Sequence, residues 1–248
     1  MRIHIVAPIT TPGLSGISDF APYANPETSL THDILDSGPA SLESRFDEAL
    51  AVPDLLRKFI VAREEGADAA VIDCMTDPGM GAAREATGML VLGAAQTSIM
   101  VASLLAHDFS IVTTSAAVVP VLADLVTVYG LSDKLRSIRS VEVPVLDLHD
   151  EERLRTALFA QSLAAVRDDG AHAVVFGCTG MRGWADAIRE HLAAEGYPGI
   201  PVIDPAPTTL KIAEALSELG LAPSQRSYPA PTRRTAVGYE DLALSEAR

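Results

Sequence analysis

The chain has 248 residues, of which 48% are hydrophobic and 21% are charged, so it can bury one large core or two smaller ones. Its formal net charge of −14 argues against a nucleic-acid partner, because phosphate binding needs a basic surface. No run approaches the roughly 20 apolar residues that cross a bilayer, and no signal-type segment precedes the first strand. We therefore expect a cytoplasmic protein without a nucleic-acid or membrane partner.

The first part of the chain is predicted to alternate strands with helices. Residues 8–29 are rich in Pro, Gly, Ser and Thr, which is typical of a long binding loop or lid. Ser41 or Ser44 is positioned to cap a helical run that ends near residue 65, and Pro53 is expected to kink or split that run. Strands are predicted at 2–7, 30–35, 67–73 and 89–92, with further helices at 81–87 and 93–105.

The second part repeats this plan, with strands at 109–112, 138–145, 171–176 and 201–203 and helices at 120–129, 151–169, 184–195 and 208–219. The alternation predicts an α/β fold of two pseudo-symmetric lobes, each a mostly parallel sheet flanked by helices, with the active site in the cleft between them. Lobe 1 is expected at 1–100, completed by 204–220, and lobe 2 at 101–203. The tail at 221–248 is expected to be mobile or to wrap a neighbouring subunit of a homo-oligomer.

One stretch occurs twice, since Arg63–Cys74 aligns with Arg167–Cys178 without a gap. Each copy has a charged helix end, a glycine, an apolar run and a cysteine, and the chain has two cysteines in all. Each cysteine follows a predicted strand, at the sheet edge where open α/β sheets bind ligands. The repeat therefore singles out Cys74 and Cys178.

Other uses of these cysteines fit the sequence less well. A lone cysteine at a strand end is commonly a small buried hydrophobe, but retention in both copies argues against that interpretation. A structural zinc needs about four ligands in closely spaced pairs, which neither cysteine has. A disulfide is disfavoured in the cytoplasm, and no motif assigns a histidine to either thiol for hydrolase chemistry.

Two opposed thiols can invert a carbon centre, because one removes a proton as thiolate and the other returns a proton to the opposite face. A helix amino terminus lowers a cysteine pKa, and both cysteines precede predicted strand-to-helix turns, so we expect lowered thiol pKa values. The free N–H groups of these turns are also placed to hold an enolate oxygen. If each sulfur stands about 3–3.5 Å from the substrate carbon, the sulfurs lie roughly 7 Å apart.

The segments Asp73–Gly79 and Gly177–Met181 resemble the two cysteine motifs of hydantoin racemases, in the aspartate/glutamate racemase superfamily. Residues 41–53 resemble the stretch that follows the second strand in that family, and the resemblance covers roughly 1–220. It implies two α/β lobes, no metal and no pyridoxal phosphate cofactor, and Cys74 and Cys178 as the two bases. It also implies 5-substituted hydantoins as substrates, with allantoin in one branch.

The residues around these cysteines predict the substrate contacts. Some of the loop residues depart from the family pattern. The turn at 7–10 lacks an expected asparagine, and the run at 115–120 lacks an expected arginine. The pocket should therefore be more apolar near Ile9 and Ala117, which favours an alkyl or aryl hydantoin or a diketopiperazine over allantoin. The predicted substrate-binding residues are Thr10, Ile9, Met75, Thr76, Thr113, Thr114, Thr179 and Gly180.

Rival hypotheses remain open on the sequence. A decarboxylase or cis–trans isomerase of the same superfamily would keep the fold and use one or both cysteine positions. A non-catalytic protein that binds a small molecule is an alternative of another class, although binding alone does not need matched thiols.

Overall fold

The computed structural model describes residues 1–231, 237–239 and 242 as an α/β protein with two four-stranded sheets. The first sheet has the order β2-β1-β3-β4 and the second β6-β5-β7-β8, and every neighbouring pair is parallel. The predicted fold class is confirmed, and the two sheets share one topology. The strands are β1 (Arg2–Ala7), β2 (Ser29–Ile34), β3 (Ala69–Ile72), β4 (Leu90–Gly93), β5 (Phe109–Thr113), β6 (Leu135–Ser140), β7 (Val174–Phe176) and β8 (Val202–Ile203).

Seven α-helices of the described residues cover the sheets: α1 (Arg45–Glu64), α2 (Met80–Thr87), α3 (Ala94–Leu105), α4 (Val119–Val128), α5 (Glu151–Arg167), α6 (Ala185–Ala194) and α7 (Pro205–Glu218). The Ser44 hydroxyl accepts the Asp47 N–H at 3.1 Å, so Ser44 caps α1. Pro53 lies inside α1, which the structure shows as one unbroken helix. None of the helices in the described part of the chain is long and apolar enough to cross a membrane.

Two helices tie the halves of the chain together. In α7, Leu210 packs on the first sheet in a core with Ile3 and Val71. In α3, Ile99 packs on the second sheet in a core with Ile111. The packing of α7 supports the proposal that residues 204–220 complete the first lobe.

The predicted strand at 138–145 is placed too late in the chain, since β6 covers Leu135–Ser140. Glu142 has a left-handed φ of 52°, which breaks the extended backbone. Val141 and Val143 are buried, and the Val141 N–H donates to the Thr113 carbonyl at 2.9 Å. These valines gave the segment a strand-like pattern because they pack against the end of β5.

The described part of the tail contacts its own chain. The Arg84 guanidinium in α2 lies 5.1 Å from the centroid of the Tyr228 ring, and its Nη1 donates to the Tyr228 hydroxyl at 2.9 Å. At Tyr228 the tail therefore packs on the first half of the same chain. Residues 232–236, 240–241 and 243–248, where the rest of the predicted tail falls, lie outside the described residues.

Candidate active site

The two cysteines occupy equivalent places in the two sheets. Cys74 comes two residues after β3 and Cys178 two residues after β7, and each of these strands lies inside its sheet. Both thiols are free, and both line a single pocket formed by loops from the two halves of the chain. The pocket is lined by Ala7, Pro8, Ile9, Leu14, Ser15, Leu42, Asp73, Cys74, Met75, Thr76, Thr114, Val118, Val145, Gly177, Cys178, Thr179 and Gly180.

Most of the predicted substrate-binding residues line this pocket, namely Ile9, Met75, Thr76, Thr114, Thr179 and Gly180. Thr10 and Thr113, which were also predicted, are not part of this lining. The Thr10 hydroxyl donates to the Pro39 carbonyl and the Thr113 hydroxyl donates to the Gly177 carbonyl, each at 3.1 Å. Their hydroxyls thus hold backbone in place.

One apolar residue of the pocket lining also differs from the residue that the sequence analysis expected. Ala117 is exposed, and its neighbour Val118 is buried and lines the pocket. Ile9, Leu42, Val118 and Val145 together give the pocket the apolar character that the sequence predicted.

Burial sets the state of the thiols and corrects the expectation of lowered pKa values. Burial raises the pKa of Cys74 to about 12 and the pKa of Cys178 to about 11. The Thr76 hydroxyl, 3.4 Å from the sulfur of Cys74, and the Thr76 N–H lower the pKa of Cys74, and the Gly180 N–H lowers the pKa of Cys178. Each of these effects is smaller than the rise caused by burial.

The helix termini expected to lower these pKa values are not in position. The first residue of α2, Met80, comes six residues after Cys74, and Cys178 is followed by a 3-10 helix of three residues, Thr179–Met181. Neither cysteine therefore directly precedes a long helix, contrary to what the sequence analysis had expected. Instead, one backbone N–H from each turn donates to the sulfur. It belongs to the residue two positions after the cysteine in both copies.

Two polar pocket residues, Asp73 and Ser15, were missed as site residues by the sequence analysis. The Ser15 hydroxyl donates to Asp73 Oδ2 at 2.6 Å, and the same hydroxyl oxygen lies 2.8 Å from His32 Nε2. Asp73 directly precedes Cys74 at the end of a buried strand, which was a usable signal. Ser15 carries no such signal beyond its place in the long loop.

Arg182 holds the long loop over the pocket from the opposite half of the chain. Its guanidinium forms a 2.7 Å ion pair with Asp19 and donates to the Leu14 carbonyl at 3.0 Å. The Thr179 hydroxyl adds a second bridge, donating to the Asp73 carbonyl at 3.3 Å. Contacts between the halves therefore fix the loop and the two cysteine turns relative to each other.

No group of three or more His, Cys, Asp and Glu side chains able to hold a metal ion occurs among residues 1–231, 237–239 and 242.

Residues 21–213 match the family described as Asp/Glu/Hydantoin racemase. The chain belongs to this family. It is 37% identical over 242 residues to the hydantoin racemase of Pseudomonas sp. (strain NS671), with 96% of this chain and 95% of that relative covered. It is 34% identical over 247 residues to the hydantoin racemase of Rhizobium meliloti, with 98% and 100% covered. These matches confirm the resemblance seen in the sequence.

A solved structure agrees with this racemase assignment. The allantoin racemase from Klebsiella pneumoniae superimposes with a TM-score of 0.91 at 30% identity, covering 98% of this chain and 99% of that one. As a member of this racemase family, the chain is an isomerase.

Proposed function

We propose that this racemase inverts C5 of 5-substituted hydantoins by proton transfer between Cys74 and Cys178, without a cofactor. The observation that carries the proposal is the placement of both thiols. Each half of the chain contributes one free cysteine, at equivalent positions, to a single pocket. The similarity to two hydantoin racemases supports this choice of substrate class.

In the proposed reaction, one sulfur acts as a thiolate and removes the C5 proton, and the other sulfur acts as a thiol and protonates the opposite face. Since burial raises both thiol pKa values, both sulfurs begin as thiols near neutral pH, and one must lose its proton before catalysis. The N–H groups of Thr76 and Gly180 stabilise the thiolate that forms. A sulfur–sulfur distance of roughly 7 Å stays a prediction of this geometry.

The pocket favours a hydrophobic group on C5. Ile9, Leu42, Val118 and Val145 supply apolar surface next to the cysteines, and such surface suits an alkyl or aryl substituent better than the polar ureido group of allantoin. We include in the proposal a cytoplasmic location, which would keep both thiols reduced. A homo-oligomeric state is also proposed.

The test uses one enantiomer of 5-benzylhydantoin and follows the loss of circular dichroism. The wild type should racemise it, and Cys74→Ala and Cys178→Ala should each slow racemisation by about 10²- to 10⁴-fold, the usual value of an acid or base group. Ser98→Ala is the matched control, because it truncates a small buried side chain outside the pocket lining. It should retain the wild-type rate.

Three results would redirect the proposal. Both alanine variants racemising at the wild-type rate would refute the two-cysteine mechanism. Binding of the hydantoin with unchanged stereochemistry would favour a non-catalytic binding protein. Release of carbon dioxide from an arylmalonate, without racemisation of hydantoins, would favour a decarboxylase.

A further inference from the structure

Asp73 has a buried carboxylate oxygen that the protein leaves without a partner. The residue is 6% exposed and lines the pocket beside Cys74. Oδ2 accepts the hydrogen bond from Ser15, whereas Oδ1 is buried without a hydrogen-bond partner. Because an unpaired buried carboxylate oxygen is costly, its persistence calls for a ligand that pairs with it.

The second half of the chain has no side chain at the position equivalent to Asp73. The equivalent residue is Gly177, where a Cβ would lie 2.6 Å from the Cβ of Thr113. The strand pairings make Ala7 the counterpart of Thr113, since Val6 pairs with Ile72 and Val112 pairs with Phe176. In the first half, the small residue Ala7 therefore lies beside Asp73. In the second half, the larger Thr113 lies beside Gly177.

The neighbours of Asp73 hold its carboxylate in one orientation. The single proton of the Ser15 hydroxyl goes to Asp73 Oδ2, so the oxygen of Ser15 accepts from His32 Nε2–H at 2.8 Å. Burial lowers the pKa of His32, which keeps the imidazole neutral near pH 7. With Oδ2 fixed in this way, the orientation of the whole carboxylate is defined, including the buried Oδ1. Ser15 and His32 are thus positioning residues for Asp73.

The chemistry of a carboxylate restricts what pairs with it. An ionised carboxylate accepts hydrogen bonds and repels the enolate oxygen that forms during racemisation, so an N–H of the substrate faces it and the carbonyl faces away. Asp73 adjoins Cys74, and its charge also raises the pKa of Cys178. Asp73 therefore lines the same pocket as both cysteines, where the carbon that reacts would lie.

We propose that Asp73 accepts a hydrogen bond from the substrate N–H attached to the reacting carbon, which is N1–H in a hydantoin, and so selects substrates without a substituent on that nitrogen. This inference rests on the proposed racemase function and assigns one contact within it. The nitrogen between the two carbonyls, N3, does not contact Asp73 in this arrangement.

The test compares 5-benzylhydantoin with its 1-methyl and 3-methyl derivatives. The wild type should racemise the 1-methyl compound about 10- to 100-fold less efficiently in kcat/KM than the parent, the range of one hydrogen bond to a charged group. The 3-methyl compound should remain within a few-fold of the parent. Asp73→Ala should lower kcat/KM for the parent, mainly through KM, and leave the 1-methyl compound unchanged or improved, so that the preference disappears.

Two further variants test whether the preference depends on the carboxylate of Asp73 in particular. Asp73→Asn retains a neutral acceptor and should keep an intermediate preference for the parent. Asp68→Ala removes a carboxylate at the opposite end of the same strand, where Oδ2 accepts the Arg2 N–H at 2.7 Å. This control should keep the full preference of the wild type.

The melting temperature separates binding from a structural role. Asp73→Asn keeps an acceptor for the Ser15 hydroxyl and removes the unpaired charge, so its melting temperature should be unchanged or raised. If Asp73→Asn melts lower and Asp73→Ala slows the parent and 1-methyl compounds equally, Asp73 is structural and the inference is wrong. A wild type that racemises the parent without any preference over the 1-methyl compound overturns this inference alone, whereas a wild type that racemises none of the three overturns the proposed function with it.

Discussion

The raised thiol pKa values predict how activity responds to pH. With pKa values of about 12 for Cys74 and about 11 for Cys178, the thiolate fraction of Cys178 is on the order of 10⁻³ at about pH 8 and 10⁻² at about pH 9. Since the reaction needs one thiolate, kcat/KM should rise about tenfold per pH unit from about pH 7 to about pH 10. The sign follows from burial, which penalises the charged form of both sulfurs.

The assay measures initial rates of hydantoin racemisation at low substrate concentration, with the spontaneous rate subtracted at each pH. Alkylation by iodoacetamide, followed by mass spectrometry for each cysteine, provides a second readout that does not depend on the ionisation of the substrate. Both rates should climb together. A plateau in alkylation and in kcat/KM that begins below about pH 9 would refute the claim that burial dominates the thiol pKa values.

Three substitutions test the surroundings of the site. Arg182→Ala removes the ion pair with Asp19 that holds the loop, and because both side chains are partly exposed, KM should rise by about tenfold or less in steady-state kinetics. Gly177→Ala places a Cβ 2.6 Å from the Cβ of Thr113, so urea unfolding should show a loss of about 1–3 kcal/mol. Burial raises the pKa of Asp77 to about 6, so the wild type should lose stability relative to Asp77→Asn as pH rises from about 4 to about 6.

Each of these predictions has a control and a contradictory outcome. Arg155→Ala removes an exposed ion pair with Glu152 and should leave KM unchanged, and an equal effect in both arginine variants would refute the loop argument. If the Gly177→Ala variant unfolds at the same urea concentration as the wild type, β5 moves to accommodate the added methyl group without loss of stability. Parallel stability curves for wild type and Asp77→Asn would show that the carboxyl of Asp77 titrates normally.

The pattern of the sequence was sufficient to predict the fold class and to identify the pair of cysteines. Alternation of strands and helices predicted parallel sheets, and comparison of the chain with itself singled out Cys74 and Cys178. These features are local, because each depends on a short stretch and its spacing. The placement of both cysteines at strand ends followed from the same stretches.

Features that depend on distant contacts were not predictable in this way. The direction of the thiol pKa shifts depends on burial by loops from both halves of the chain. Ser15 meets Asp73 across 58 residues of sequence, so neither residue marks the other as a partner. Thr113 lies at the end of a strand, as the two cysteines do, but its hydroxyl donates to the Gly177 carbonyl at 3.1 Å.

Exchange of the C5 proton for solvent deuterium by the single variants Cys74→Ser and Cys178→Ser tests the two-base mechanism most directly. Each variant keeps one thiol, so in deuterium oxide it should exchange the proton of one hydantoin enantiomer with retention of configuration, and the two variants should act on opposite enantiomers. Racemisation should be lost in both. If one variant exchanges both enantiomers, or if both variants still racemise, the two sulfurs do not serve opposite faces of one carbon.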